Sequence, residues 1–134
     1  MNRIEMSCLL EGDKLDFLLH VDGRRLLPLH SVNIFALEDS LRREGEFPIF
    51  TCNGRVPGCR KLAGGVRVDH QGTVTIWTLP APAPVRVLAF ETEELRGQFH
   101  QAQQTGNRLS REYLAQHGDL PDFAFYPDNG GPVD

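Results

Sequence analysis

The chain has no apolar run long enough to cross a membrane: no stretch approaches the ~18 uninterrupted apolar residues that a spanning helix needs. It has no excess of positive charge either. Lys and Arg number 14 against 18 Asp and Glu, for a formal net charge of -4, whereas binding phosphate or anionic lipid needs a cationic patch. Neither nucleic acid nor membrane is the expected partner. Only three cysteines are present, an odd number that completes no intramolecular disulfide framework. No secretory signal is expected, because Glu5 stands where its apolar core should begin. The expectation is a cytoplasmic protein with reduced thiols. Also absent are a Walker A loop, a dinucleotide fingerprint, a G-x-S-x-G elbow, an H-E-x-x-H pair and any internal repeat.

What is there reads as alternating strands and two helices. Ile4, Met6, Cys8 and Leu10 recur at period 2, as do Leu15, Phe17, Leu19 and Val21. Glu11-Gly12-Asp13 is a turn, and Asp22-Gly23 is a strong two-residue hairpin signal leading into a strand over 24–29. Asn33 can cap a short helix near 33–45 with Ile34, Leu37 and Leu41 on its apolar stripe and Gly45 at its end. Phe47 to Thr51 reads as a buried strand, 66–69 and 74–77 as a hairpin, and 85–90 as a further strand after the stiff Pro80-Ala-Pro-Ala-Pro84 crossing. A long helix starts at Thr92, followed by Glu93 and Glu94, where the helix dipole favours acids. Gly106-Asn107 is expected to break or bend it, and Ser110 could recap a second piece that ends before Gly118. Together these predict one α+β domain over 1–126: a mainly antiparallel sheet of about six or seven strands, the C-terminal helix packed on one face, the short helix near 33–45, and a flexible tail over 127–134.

Unusual chemistry is densest in Phe47-Pro-Ile-Phe-Thr-Cys52-Asn-Gly-Arg-Val-Pro-Gly-Cys59-Arg-Lys. Cys52, Cys59 and His70 are a candidate zinc or redox set, with Cys8 as a further recruit. However, the C-x6-C spacing is wider than a zinc knuckle and a second ligand pair is missing. Arg55, Arg60 and Lys61 could stabilise thiolates, although no C-x-x-C opens a helix. Phe50-Thr-Cys-Asn, Val56-Pro-Gly-Cys59, Gly65-Val-Arg-Val and Val74-Thr-Ile-Trp77 resemble an uncharacterised group of small bacterial proteins. That group carries a Thr-Cys-x-Cys-Gly-x-x-Gly-Cys loop followed by a strand ending in Trp. The resemblance covers residues 47–79 and implies a bacterial source and a compact domain. Gly54 and Arg55 stand where the group has its middle Cys and the following Gly.

The five histidines are dispersed and the carboxylates pick out no catalytic pair, so no catalytic residue is assigned. Surfaces remain. Trp77 and the aromatic group Phe123, Phe125 and Tyr126 are candidate docking anchors. Glu38, Asp39, Asp69, Glu93 and Glu94 are candidate acidic contacts. The expected function is non-enzymatic binding of another protein, most concretely an immunity-type inhibitor of a basic toxin. The alternative is a small metal- or thiol-dependent protein using Cys52 and Cys59. Homo-oligomerisation is compatible with either.

Overall fold

A computed structural model describes residues 1–28, 30–52, 65–80 and 84–123. The fold is α+β, with ten strands and two helices among the described residues. The first sheet is built on a hairpin. Strands β1 (Ile4–Glu11) and β2 (Lys14–Val21) pair antiparallel from Ile4↔Val21 to Glu11↔Lys14 around a two-residue turn. Period-2 burial follows from the alternation: Ile4, Met6 and Cys8 face the core with Leu15, Phe17, Leu19 and Val21. The chain then turns at Asp22-Gly23, where φ is 52° and 85°, as a tight hairpin of matching twist requires. The Asp22 carboxylate accepts the Arg3 backbone N–H and the Asn2 amide, and those bonds hold it below the usual carboxylate range. Strand β3 (Arg24–Arg25) adds to the free edge of β2.

Strand β4 (His30–Val32) pairs not with this sheet but with β6 (Phe50–Cys52), after helix α1 (Ile34–Ser40) and strand β5 (Gly45–Phe47). Asn33 caps α1 by accepting the N–H groups of Phe35 and Ala36, a cap worth about 1 kcal/mol. The helix ends at Ser40, and Gly45, at φ 141°, opens β5 instead of closing α1. The third sheet has the order β5-β7-β8-β9, with β7 (Val66–Gln71), β8 (Val74–Leu79) and β9 (Arg86–Glu91) all antiparallel. Trp77 and Phe90 meet edge-to-face on its buried side, with ring centroids 5.1 Å apart.

Helix α2 (Thr92–His117) crosses the buried face of β1 and β2. Leu95, Phe99, Ala102 and Gly106 recur three and four residues apart as one buried stripe. Gln98 also accepts the Met6 N–H, which satisfies a backbone donor of β1. After the left-handed cap at Gly118, strand β10 (Asp122–Phe123) returns parallel to Lys14 and Leu15 of β2. Buried residues from all three sheets and both helices form one core.

Four expectations are corrected. The strands divide into three small sheets instead of one, because β4 and β6 are only three residues each and pair with one another. Helix α2 runs unbroken through Gly106. That glycine serves a close approach: a Cβ there would lie 3.1 Å from Cys8 Sγ. Thr92 is the first helical residue and Glu91 the cap, because the Thr92 hydroxyl is turned inward to Thr75 at 2.8 Å. Finally, α1 stops five residues short of Gly45.

Candidate functional site: the outer face of the third sheet and the neighbouring cleft

The two faces of β8 and β9 are both apolar. Inward lie Thr75, Trp77, Leu79 and Phe90, all buried. Outward, register sets Ile76 beside Ala89 and Thr78 beside Val87. Val85 and Val87 are 61% and 62% exposed. Around this stripe stand Glu46, Asp69 and Glu91, which the pairings Glu46↔Arg67, Asp69↔Ile76 and Val74↔Glu91 place on the same face. Arg67 bonds Asp69 at 3.2 Å. An apolar centre with a polar, net acidic rim is the composition of a protein-docking surface.

Asn2 closes the β9 edge of this sheet at Ala89. The bond from Thr92 N–H to Thr73 O sets the ladder phase, and that phase turns the backbone groups of Val87 and Ala89 away from β8. Asn2 occupies Ala89 on both sides. Its N–H donates to Ala89 O at 2.8 Å, and its side-chain oxygen accepts Ala89 N–H at 2.9 Å.

A polar cleft of about 420 Å³ lies between the end of α1, the β7–β8 turn and the start of α2. Its lining includes Arg42, Glu44, His70, Thr92, Glu93 and Arg96. A hydrogen-bonded chain runs inward from His70 on its lining. His70 Nε2 meets Ser40 O at 2.9 Å, Nδ1 meets Thr75 Oγ1 at 3.4 Å, and Thr75 Oγ1 meets Thr92 Oγ1 at 2.8 Å. The His70 backbone N–H donates to a Glu44 carboxylate oxygen at 2.8 Å. Arg96 donates to Leu41 O at 3.0 Å, satisfying a carbonyl at the end of α1.

The residues singled out in the sequence scatter over these elements. Trp77 is fully buried, with its indole nitrogen unpartnered. It is a core side chain, which corrects its assignment as a docking anchor: of the two faces of β8, the Trp77 face is the sealed one. Asp39 on α1 holds Arg42 at 3.3 Å and Arg43 at 3.6 Å, and Glu94 holds Arg3 at 3.2 Å. With Asp69 paired to Arg67, three of the five acids are therefore matched by arginines of the same chain. Glu38 sits on α1, half-buried, and Glu93 lines the cleft. Cys59, Phe125 and Tyr126 lie outside the described residues, as do the side chains of Cys52 and Phe123.

For the metal or redox set, His70 is in a different sheet from Cys52, and both its ring nitrogens already have protein partners. The residue that register places opposite Cys52 is His30, whose buried Nδ1 has no partner and whose pKa is lowered by burial. Cys8 lies under α2, where burial first and the Asp16 charge second push its thiol up to about 11. It stays protonated, unsuited to ligation or attack. Among the described residues, no group of three His, Cys, Asp or Glu is placed to hold a metal. No helix among them is long and apolar enough to cross a membrane.

Sequence reasoning missed Ile76, Val85, Val87, Glu46 and Glu91. A signal for the first three existed: β8 and β9 alternate apolar residues on both faces, which a one-sided sheet does not need. Comparison of the chain with protein-family models, with curated proteins and with solved structures finds no match.

Proposed function

We propose that this protein acts by binding another protein, and that its partner presents a basic surface, as a toxin neutralised by an immunity-type inhibitor does. The observation that carries the reading is the outer face of β7, β8 and β9. Val85 and Val87 are exposed there beside Ile76, with Glu46, Asp69 and Glu91 around them. Exposed valines on a sheet face cost solubility, and burying them against a partner recovers roughly 25 cal/mol per Å². The acidic rim and the net charge of -4 favour fast, salt-sensitive encounter with a basic surface.

The test is affinity capture from extracts of the source cell, wild type beside Val87→Asp and Glu46→Lys/Glu91→Lys. The reading expects one stoichiometric basic protein that the wild type retains, Val87→Asp loses, and rising salt releases. It also expects that partner to be toxic alone and harmless when co-expressed. Capture that survives Val87→Asp, or a partner that is acidic or harmless alone, overturns it.

A further inference from the structure

The β1–β2 pairing fixes which backbone groups of β2 face away from β1. The two-residue turn makes Glu11↔Lys14 a bonded pair, so the odd-numbered residues of β2 turn their N–H and C=O groups to the other edge. Two bonds use that edge near its ends. Asp13 O takes the Asp122 N–H at 2.8 Å, and Leu19 O takes the Leu26 N–H at 2.8 Å. Strand β10 covers the edge as far as Leu15, and β3 covers it from His20 onward. Among the described residues, no strand pairs with Phe17 between them. The Phe17 N–H leans instead on the carboxylate of its neighbour Asp16. Beside this gap lies an apolar groove of about 220 Å³, walled by Cys8, Leu15 and Phe17 of the hairpin, Ile34 and Phe35 of α1, and Gly106 of α2. A side chain at Gly106 would intrude on it, since its Cβ would stand 3.1 Å from Cys8 Sγ and 3.9 Å from the Phe17 ring.

We propose that the chain's own C-terminal segment, Ala124-Phe125-Tyr126, fills this groove by extending β10, with the Phe125 ring set between Phe17 and Ile34. The register carries the argument. Asp122 and Phe123 stand opposite Lys14 and Leu15, so two further residues bring Phe125 opposite Phe17, on the face that α2 covers. In a parallel ladder of this phase, Ala124 N–H donates to Leu15 O, Ala124 O accepts the Phe17 N–H in place of Asp16, and Tyr126 N–H donates to Phe17 O. The ladder has room for these bonds and no more, because Leu19 O is already taken by Leu26. Pro127 comes next in the sequence. It falls where an N–H would face away from β2, so it leaves the new edge without a donor for another chain. The segment is a strap that seals the core of the first hairpin, and Phe125 is its plug instead of an anchor for a partner. The strap is independent of the reading of the third sheet as a docking surface.

Amide hydrogen exchange and NOEs on the intact, isotope-labelled chain test it. The expected result is NOEs from the Phe125 ring to the Phe17 ring and the Ile34 methyls, and a slowly exchanging Phe17 amide, both unchanged on tenfold dilution. Phe125→Ala should speed Phe17 exchange at least about tenfold, the loss of one ring's burial from a segment that opens locally. The Met6 amide, held by Gln98 of α2, should keep its rate in the same variant, which shows that the fold is intact. Phe125→Leu should recover most of the protection. Ala124→Pro removes the donor to Leu15 O and should expose the Phe17 amide with the plug residue unchanged. The apolar dye 1-anilinonaphthalene-8-sulfonate should bind Phe125→Ala and not the wild type. A Phe17 amide that exchanges freely in the wild type, equal rates in the wild type, Phe125→Ala and Ala124→Pro, or dye binding by the wild type each overturn the strap. NOEs and protection that fade on dilution overturn it as well, and assign the groove to the tail of a second copy.

Discussion

The two hairpins of this protein have the same plan and different surfaces. Both close on a two-residue turn beginning with a left-handed glycine, Gly12 in one and Gly72 in the other, at φ 62° in each. The β1–β2 hairpin is one-sided. Its inner residues lie under α2, and its outer face carries Glu5, Ser7, Asp16 and His20, with Leu9 and Leu18 half-buried. The β7–β8 hairpin, extended by β9, is two-sided. It seals Trp77, Leu79 and Phe90 within and leaves Val87 outside. Burial alone explains the first hairpin. The second leaves Val85 and Val87 exposed on its outer face, and that surplus is the surface the proposed partner would cover.

The comparison predicts unequal losses on the two faces of one sheet. Trp77→Ala should remove about 3–5 kcal/mol, as large-to-small changes in a packed core do, read by urea unfolding. Val87→Ser, on the opposite face, should stay within about 0.5 kcal/mol. Equal losses would mean that the outer face is also part of the core. Under α2, Gly106→Leu should cost about 1–3 kcal/mol by overpacking against Cys8 and Phe17, with partial recovery in a Cys8→Ala background. Gly97 shares that helix but has nothing near its missing Cβ, so Gly97→Ala should raise stability by about 0.5–1 kcal/mol. A Gly106→Leu variant no weaker than wild type would remove the close approach as the reason for that glycine.

The smallest effect concerns pH on the one-sided hairpin. Burial, with a further push from Glu11, raises the Asp16 carboxyl above its ordinary value, and Arg25 at 3.9 Å only partly offsets this. Above the ordinary carboxylate range the folded state therefore holds the charged form at a cost. Asp16→Asn should raise the melting temperature at pH 7, and the gain should shrink as pH falls through that range. His30 titrates with the opposite sense. Burial depresses its pKa, so the stability it leaves intact at neutral pH should fall as pH drops below about 6.5, and His30→Gln should flatten that decline.

Most turns and strand patterns were legible in the sequence. Asp22-Gly23, the Asn33 cap and Gly118 act locally, and each determines its own backbone without help from distant residues. Three features were not legible because they depend on partners far along the chain. Gly106 reads as a helix breaker until Cys8 is set against it. The two apolar faces of β8 are equivalent in the sequence, and only the core decides that Trp77 goes in and Ile76 goes out. The acids chosen for docking looked free, yet Arg3, Arg42, Arg43 and Arg67 had to be located before Asp39, Asp69 and Glu94 could be seen as matched.

The clasp of Asn2 on Ala89 joins residues 87 positions apart. During synthesis the first hairpin can form early, but its entry strand stays unfastened until β9 has been made. At ~5–20 residues per second the wait from Val21 to Ala89 lasts about 3–14 s. Over that interval the nascent chain holds a hairpin whose buried face has no helix over it, since α2 is made later still. The fold therefore closes from its newest end back to its oldest.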